Sequence, residues 1–487
     1  MNSVFSSKTQ KTVMGIKVKF PFRPLWLLVC STALVFWGCQ DQEPVLPPFE
    51  APAPALSVLS VDGGEALNPA FSPEINRYSV VASDSAGENL TIVALGEAGL
   101  EITVEGESVS LMEPFSRQVS PGSTIEILVR NQNGSARTYT IEYLPSDFPR
   151  LRTESNREAP SSGLTYITLS EWLIVIDDNG VPVFYKRESN RVTDFKLHPS
   201  GERSYAVRTG YLSDFGMNDH EIVVLDADFE EIDRVTTIGL NQTDNHDFLI
   251  RENGNYVLLS YHGETRDLTD YGGGPADPVI ESVMQEITRD RELVFQWRSW
   301  PEIPWSERLR DKAEYAHVNS VFETPDGDFI LSLRRVSQVV KVDRSTGQVA
   351  WKLGGMSNEF EFKADPFSNI CAQHTASLLP GGRLLLFDNG QLCWPIEPSR
   401  GDLTRVVEYD LDEEAMTATM VWSYSRPDTY SRSMGSSQRL SNGNTLISWG
   451  NRPAVTATEV NAQGEVVWEL FADSEKPWTY RAFRAER

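Results

Sequence analysis

The chain has 487 residues, of which 69 are Asp or Glu and 44 are Lys or Arg, so its formal net charge is −25. A surface of this sign repels the phosphate backbone and anionic lipid, which excludes nucleic acid as a partner. With 40% hydrophobic residues and ordinary Gly and Pro counts, the composition is typical of a large, acidic, globular protein with more than one domain. It excludes a membrane bundle and a collagen-like chain.

The first 38 residues have the organisation of an export signal. All five basic residues in this stretch precede a 14-residue apolar run, Leu25 to Gly38, which is too short to span a hydrocarbon core of about 30 Å. We therefore predict a signal peptide over residues 1–38. Cys39 follows directly, ahead of a polar stretch with prolines, and this arrangement resembles the lipobox of a bacterial lipoprotein. The resemblance implies a lipid anchor on Cys39.

A plain signal peptide or an uncleaved anchor is the alternative to lipidation. In every case we expect an exported protein, in the periplasm or at the cell surface, and with the lipid anchor it is attached to a bacterial membrane. Its oligomeric state is not predicted by the sequence.

Two segments of different character follow the leader. Residues 39–54 are rich in proline and predict an extended linker. Residues 55–146 contain short β-type runs separated by turn residues, and Asn133-Gly134 between the last two runs is a strong hairpin signal. We predict a small antiparallel β-sandwich. Its opening and closing runs resemble the cadherin-like β-sandwich module of bacterial surface proteins, which implies a spacing or docking role.

From about residue 150 the chain repeats itself. Each unit has a short strand, a turn with Gly, and three further strands, the last of which often ends in an aromatic residue. Four-stranded units that recur six times predict a six-bladed β-propeller over residues 147–487, closed by the C-terminal segment YRAFRAE. A linear solenoid is less consistent with units of this length. The units are at residues 161–186, 199–235, 252–297, 325–353, 380–424 and 441–470.

The cysteines predict one disulfide. Cleavage of the leader removes Cys30 and lipidation uses Cys39, so Cys371 and Cys393 remain as a pair in an oxidising compartment. Two independent buried thiols are the alternative.

Three of the six histidines occupy one repeat phase. His246, His317 and His374 lie 8, 10 and 8 residues before the turn glycine of their units. Because the first strand of each propeller blade lines the central channel, we expect the three imidazoles to converge at one mouth of that channel. A single histidine at a strand end is more often structural. The presence of half of all histidines at the same position of the repeat argues for a functional site.

Arg334 and Arg335 follow the second strand of the unit that carries His317. Alternation along that strand predicts that one guanidinium points towards the channel and the other away. A solvated arginine pair on a loop is the alternative for either residue.

These motifs together resemble the arylsulfate sulfotransferase family of exported bacterial enzymes, with HDFLIRENGN, HVNSVFETPDGDFILSLR and QHTASLLPGG in the family's order. The resemblance implies a six-bladed propeller behind a β-sandwich, and transfer of a sulfuryl group from an aryl sulfate donor to a phenolic acceptor without a nucleotide donor. It implies that His374 is the nucleophile and that His246, His317 and Arg334 bind sulfate. Asn319 and Arg335 complete the predicted substrate-binding set.

Elementary chemistry is consistent with this assignment. Sulfuryl transfer places negative charge on peripheral oxygens and on a departing phenolate, so positioned Arg and His donors meet its main requirement, and it needs no metal or other cofactor. Two alternatives stay open. Three convergent histidines are also a zinc set, which predicts a hydrolase or a lyase, and a non-catalytic surface propeller would bind a polymer or a protein.

Overall fold

The computed structural model describes residues 53–83, 89–110, 113–156, 160–212, 217–309, 313–391, 393, 403–427, 429–451, 455–473 and 479–486. The predicted signal peptide, the lipidation site Cys39 and nearly all of the predicted linker lie outside the described residues. Strands dominate the described part. Its helical segments are one four-residue α-turn, Ser299–Glu302, and the 3₁₀ turns Thr269–Tyr271, Trp305–Glu307 and Arg334–Val336. No helix within the described ranges has the length and apolar character needed to cross a membrane.

The N-terminal part is a two-sheet β-sandwich. Strand β7 alternates exposed and buried residues along TIEILVR, as expected for a sheet with one face on a core. One sheet has the order β1-β3-β6 and the other β2-β8-β7-β4-β5. The strands are β1 Leu56–Asp62, β2 Arg77–Val81, β3 Asn89–Gly96, β4 Glu101–Val104, β5 Glu107–Ser108, β6 Phe115–Gln118, β7 Thr124–Arg130 and β8 Ala136–Leu144.

The sandwich differs from the prediction in one pairing. Strands β7 and β8 form the predicted antiparallel hairpin, with Gly134 in its turn at φ +89°. Strand β2, however, pairs with β8 in parallel, with Arg77 opposite Thr140. A hairpin cannot make this pairing, because β2 is separated from β8 by five intervening strands that lie in both sheets.

The rest of the chain consists of strands β9 to β34. These are β9 Arg150–Ser155, β10 Gly163–Leu169, β11 Trp172–Ile176, β12 Pro182–Arg187, β13 Val192–Leu197, β14 Arg203–Leu212, β15 Met217–Leu225, β16 Glu231–Val235, β17 Phe248–Ile250, β18 Tyr256–Arg266, β19 Asp277–Ile287, β20 Leu293–Arg298, β21 Val318–Glu323, β22 Phe329–Leu333, β23 Gln338–Val342, β24 Val349–Gly354, β25 Glu361–Lys363, β26 His374–Leu378, β27 Leu384–Asp388, β28 Arg405–Asp412, β29 Thr417–Ser425, β30 Ser436–Arg439, β31 Thr445–Ser448, β32 Ala457–Val460, β33 Val466–Asp473 and β34 Ala482–Glu486.

These strands form six sheets within the described residues, in the orders β34-β10-β11-β12, β13-β14-β15-β16, β17-β18-β19-β20, β21-β22-β23-β24, β26-β27-β28-β29-β25 and β30-β31-β32-β33-β9. The C-terminal strand β34 pairs with β10, with Glu486 opposite Gly163, as predicted for YRAFRAE. Strand β9 pairs with β33, with Ser155 opposite Trp468. Both ends of this region are thereby tied into sheets built from distant sequence.

One edge strand of each sheet faces a common cavity of about 560 Å³. We call these six strands, β13, β17, β21, β26, β30 and β34, the inner strands. Each contributes a side chain to the cavity wall: Lys196, Leu249, Phe322, Leu378, Gln438 and Phe483, in that order.

The sandwich packs on the sheet that contains β11 and β12. Arg77 donates from Nη1 to Asp177 Oδ2 at 3.3 Å and from Nη2 to the Pro182 carbonyl at 2.9 Å. The Phe148 ring lies 5.3 Å from Trp172, centroid to centroid, in an edge-to-face arrangement. These contacts join the sandwich to the larger region through both polar and aromatic interactions.

Candidate active site

The three histidines of the shared repeat phase lie together at the starts of three consecutive inner strands. His246 precedes β17 by two residues, His317 directly precedes β21, and His374 is the first residue of β26. The ring centroids of His246 and His317 are 4.9 Å apart. His374 is close enough to both rings, and to Arg334, for their charges to affect its titration. The structure thus brings these four predicted residues into one cluster.

His374 is buried and neutral, and its tautomer is set by Asn389. Burial, followed by the positive charge of Arg334, lowers the pKa of His374 well below its usual value. The Asn389 amide nitrogen donates to the carbonyls of Ser431 and Met434 at 2.9 and 3.0 Å. This orientation directs Asn389 Oδ1 to His374 Nδ1, at 2.6 Å. Nδ1 therefore carries the proton, and the lone pair is on Nε2.

The Nε2 atom of His374 accepts a hydrogen bond from the Met434 backbone N–H at 3.2 Å. Met434 has a left-handed φ of +68° and is followed by Gly435 at φ +104°. A Cβ at position 435 would lie 2.3 Å from the Phe387 ring, so only glycine fits there. This turn therefore holds a backbone donor directly at His374 Nε2.

His246 is oriented by a buried carboxylate. Its Nδ1 lies 2.7 and 2.9 Å from the two Oδ atoms of Asp244, and its backbone N–H also donates to Asp244 Oδ2 at 2.7 Å. Burial acts to raise the pKa of Asp244, but the charge and hydrogen bonds of His246 outweigh it, and the pKa of Asp244 is lowered. The rings of Tyr261 and Tyr480 flank the imidazole at 5.6 and 5.5 Å.

His317 has a second carboxylate partner, Glu314. Its Nδ1 is in hydrogen-bond contact with Glu314 Oε1, and Glu314 Oε2 also pairs with Arg335 Nη2 at 3.1 Å. Burial lowers the pKa of His317 to about 4, although Glu314 opposes this shift. For Glu314 burial favours the protonated form, but the charges of His317 and Arg335 prevail and lower its pKa to about 2. Glu314 is therefore ionised and His317 neutral at physiological pH.

The backbone at His317 is strained and is held by the arginine turn. His317 has φ +60°, a conformation that costs a non-glycine residue roughly 1–2 kcal/mol. The Arg334 N–H donates to the His317 carbonyl at 2.9 Å, and the Arg335 N–H donates to the Ala316 carbonyl at 3.0 Å. The turn that carries the two arginines and the segment that carries His317 thus fix each other.

The predicted alternation of Arg334 and Arg335 does not occur. Strand β22 ends at Leu333, and both arginines lie in the 3₁₀ turn Arg334–Val336, where the two-residue period of a strand does not apply. Arg334 lies beside His374, and its Nη2 donates to Gln391 Oε1 at 3.1 Å and to the Arg432 carbonyl at 3.2 Å. Arg335 Nη2 pairs instead with Glu314 Oε2 at 3.1 Å, and the other oxygen of that carboxylate contacts His317.

Asn319 is fully buried below the cluster. Its Nδ2 donates to the Gln373 carbonyl at 2.8 Å, and Gln373 Nε2 donates to the Gln338 carbonyl at 2.7 Å. The residue before His374 is thereby locked to the neighbouring sheet. Asn319 Oδ1 has no hydrogen-bond partner among the described residues. Through Gln373, Asn319 supports the position of His374.

The predicted disulfide is confirmed. Cys371 and Cys393 are bonded, and the Gly390 N–H also donates to the Cys371 carbonyl at 3.1 Å. The bridge joins the segment before β26, which carries His374, to the segment after β27, which carries Asn389. It therefore braces both members of the His374–Asn389 pair.

A buried ion cluster that the sequence did not predict includes Asp247, the residue that follows His246. Lys196 Nζ contacts Asp194 Oδ2 at 2.7 Å and also pairs with Asp247. Arg481 Nη1 contacts Asp194 at 3.0 Å and Asp247 at 3.2 Å, and its Nη2 donates to the Asn319 carbonyl at 2.6 Å. The cluster connects four inner strands. The repeated Asp-Phe pair at 194–195 and 247–248 is the sequence signal for it.

Other groups were also missed. Asp244 and Glu314 precede their histidines by two and three residues, so they share no repeat phase, and Asn389 follows β27 in the tripeptide Asp-Asn-Gly. Among the described residues, no group of three or more His, Cys, Asp and Glu side chains has an arrangement that could hold a metal ion.

Comparison with known proteins identifies the family. Residues 210–473 match the family model described as Arylsulfotransferase (ASST), and residues 55–144 match that of the cadherin-like beta sandwich domain. An arylsulfate sulfotransferase from Lelliottia amnigena is 28% identical over 158 residues, which are 27% of this chain and 26% of that protein. One from Escherichia coli O6:H1 is 29% identical over 183 residues, which are 31% of this chain and 30% of that protein.

The chain thus spans less than a third of the curated relatives that it matches. A streptogramin B lyase structure is similar at a TM-score of 0.38 and 11% identity, over 69% of this chain and 95% of the lyase. The family model covers more than half of the 487 residues. The protein therefore belongs to the arylsulfotransferase family and carries a cadherin-like β-sandwich domain.

Proposed function

We propose that this protein moves a sulfuryl group from a phenolic sulfate ester to a phenol through a sulfohistidine intermediate at His374. The observation that supports this most is the state of His374. The ring is neutral, its proton is fixed on Nδ1 by Asn389, and its Nε2 lone pair accepts from the Met434 N–H in a cluster that contains Arg334, His246 and His317. A neutral imidazole in this tautomer is a competent nucleophile.

The first half-reaction follows from this geometry. The Nε2 lone pair of His374 attacks the sulfur, the bond from sulfur to the aryl oxygen breaks, and its electron pair goes to the phenolate. Arg334 stabilises the charge on the peripheral sulfuryl oxygens. The Met434 N–H, which bonds Nε2 in the resting protein, is positioned to donate to one of these oxygens when the bond from nitrogen to sulfur forms.

In the second half-reaction an acceptor phenol attacks the sulfur of the sulfohistidine, and the electron pair of the nitrogen–sulfur bond returns to Nε2. Donor and acceptor are then bound one after the other, so the site needs room for one aryl group at a time. No cofactor takes part. Asn319 supports His374 in this scheme and Arg335 acts through Glu314, so neither is assigned a direct sulfate contact.

The same proposal includes the architecture and the location. The six sheets are the blades of a six-bladed propeller at residues 147–487, the inner strands line its axis, and the site lies at one mouth. The protein is exported by the signal at residues 1–38 and is attached to a bacterial membrane through Cys39. The sandwich at residues 55–146 and the linker at 39–54 hold the propeller away from that membrane.

The decisive experiment uses the purified protein with a chromogenic aryl sulfate and no acceptor. We expect release of one equivalent of phenol and a sulfuryl adduct on His374, detected by mass spectrometry of the peptide. Addition of a phenol should discharge the adduct, and steady-state kinetics should be ping-pong. His374→Ala should lower turnover by about 10⁶-fold, as loss of a nucleophile does elsewhere. His262→Gln, a histidine substitution outside the cluster, should stay active.

Two results would contradict the proposal. Loss of activity on chelation, restored by zinc, would favour a His₃ zinc enzyme. Absence of both phenol release and adduct with every aryl sulfate tested, while His374→Ala folds normally, would favour a binding propeller without catalysis.

A further inference from the structure

The two histidines beside His374 share an arrangement that the proposed reaction does not yet explain. In each ring Nδ1 makes a hydrogen bond to a carboxylate, which is Asp244 for His246 and Glu314 for His317. Neither Nε2 makes a hydrogen bond to the described residues. The side chains are 17% and 14% exposed, so both rings have an accessible edge. Two imidazoles that present Nε2 to one site can divide proton donation and proton acceptance between them.

The two carboxylates differ in what they neutralise. Glu314 is shared, because it pairs with His317 and with Arg335 at 3.1 Å. No Lys or Arg of the described residues pairs with Asp244, which is 3% exposed. Both of its carboxylate oxygens contact Nδ1 of His246. A buried carboxylate without a permanent cation is stabilised by a protonated imidazole beside it. A carboxylate that already has a guanidinium partner gains less from a second cation.

We infer that Asp244 is a positioning residue for His246, so that His246, and not His317, exchanges the proton with the phenolic oxygen. This inference rests on the proposed sulfuryl transfer. When the bond from sulfur to the aryl oxygen breaks, the oxygen takes the proton from His246 Nε2 and leaves as a phenol, and His246 becomes neutral. When the acceptor attacks, its O–H proton returns to His246 Nε2. Protons and electron pairs balance over the two half-reactions.

His317 has a different part in this division. Its neutral ring donates Nδ1–H to Glu314, so its Nε2 presents a lone pair and cannot protonate a phenolate. Burial, which lowers the pKa of His317 to about 4, supports this state. The single O–H proton of the acceptor goes to His246 Nε2, so His317 takes no part in the proton exchange. The sulfuryl oxygens are then bound by Arg334.

Apart from the Arg334 guanidinium, which belongs to the same cluster, every group that faces His246 is compatible with a proton on its ring. Its own segment contributes Asp244, and the packed elements contribute neutral rings, phenols and one further carboxylate. These groups are His220 on β15, Tyr261 on β18, Glu314 and His317 before β21, His374 on β26 and Tyr480 before β34. Burial lowers the pKa of His220, so this neighbour brings no positive charge at neutral pH.

The test is the dependence of the first half-reaction on the leaving group. Single-turnover rates are measured with aryl sulfates that range from 4-nitrophenyl sulfate, whose phenolate leaves without help, to unsubstituted phenyl sulfate, whose phenol has a pKa near 10. For Asp244→Asn we expect a loss of 100-fold or more with phenyl sulfate, the scale of general acid catalysis. With 4-nitrophenyl sulfate the loss should be less than about 5-fold. The alkaline limb of the phenyl sulfate pH profile should also move to lower pH.

Glu314→Gln is the matched control, because it removes the carboxylate from the other histidine. It should lower the rate by a similar factor with every donor. Equal losses with all donors for Asp244→Asn, or a leaving-group dependence for Glu314→Gln alone, would overturn the inference. If Asp244→Asn does not fold, His246→Gln replaces it and must show the same selective loss. Failure of the wild-type protein to transfer sulfuryl groups at all would instead overturn the proposed function, and this inference with it.

Discussion

The amide of Asn389 should set the reactivity of His374, and two substitutions separate its effects on stability and on chemistry. Asn389→Ala removes three hydrogen bonds, of 2.6, 2.9 and 3.0 Å. The Ser431 carbonyl keeps a contact with Thr404 Oγ1 at 3.4 Å, so the main buried acceptor that loses its hydrogen-bond donor is the Met434 carbonyl. With about 1 kcal/mol for a hydrogen bond and about 1–3 kcal/mol for a buried unpaired group, the free energy of unfolding should fall by roughly 3–5 kcal/mol.

Asn389→Ala should also lower the rate of His374 sulfation. Without Asn389 Oδ1 as the acceptor for Nδ1–H, the ring can adopt the other tautomer, in which Nε2 carries the proton and has no lone pair for attack. A comparable loss of tautomer control in a serine protease costs about 10⁴-fold, and because Asn389 is an uncharged acceptor we expect a loss of about 10²- to 10⁴-fold here. The loss should be the same at every pH, since His374 stays neutral in this variant.

Asn389→Asp keeps the acceptor and the size but adds a negative charge beside Nδ1. The charge favours the imidazolium and therefore raises the pKa of His374 from its lowered value. The Nε2 lone pair is then protonated at higher pH than in the wild type, and below that pH the sulfation rate should fall by up to tenfold per pH unit. Single-turnover phenol release between pH 5 and 9 measures this. Asn442→Ala, in an exposed turn, is the control, and a wild-type rate and pH profile for Asn389→Asp would refute the reasoning.

Three further predictions concern other parts of the chain. Burial lowers the pKa of His198, which contacts Ser204 Oγ at 2.7 Å, to about 3. As pH falls below about 6.5, this histidine is protonated in the unfolded chain before it is protonated in the folded protein, so the free energy of unfolding should drop by a few kcal/mol towards pH 3. Urea unfolding measures this loss, which should be smaller in His198→Gln. Removal of the Cys371–Cys393 bond, which spans 22 residues, should cost about 3 kcal/mol by loop entropy and lower turnover in a protein that stays folded; two free thiols in the non-reduced protein would contradict it. Cys39→Ser should leave export intact but move the protein out of the membrane fraction, and an unchanged detergent partition would argue against the lipid anchor.

The repeat pattern predicted the recurring strand units of an all-β fold and the shared positions of the three histidines for the same reason. A repeated strand unit places equivalent residues at equivalent heights, so His246, His317 and His374 at the starts of inner strands lie together. The pairing of β34 with β10 could be predicted too, because the last segment continues the strand pattern. These inferences need only periodicity, which a single sequence shows.

The partners of the histidines follow no repeat phase, and the sequence could not predict them. Asp244 and Glu314 reach their rings from irregular segments two and three residues upstream. Asn389 contacts His374 across the hairpin of β26 and β27, and its orientation depends on carbonyls 42 and 45 residues further on. Strand periodicity also failed at Arg334 and Arg335, because β22 ends one residue before them.

The candidate site and the buried ion cluster are built from residues that are neighbours in the sequence. The stability of the cluster therefore affects the geometry of the site. His246 is followed by Asp247, and Tyr480 beside His246 is followed by Arg481. The first residue of each pair contributes to the site and the second to the cluster, where Arg481 also holds the Asn319 carbonyl. Two cations and two carboxylates balance there, and removal of one partner of a buried ion pair costs about 3–5 kcal/mol. A substitution in the cluster therefore disturbs the histidines without touching them, because the same backbone carries both layers.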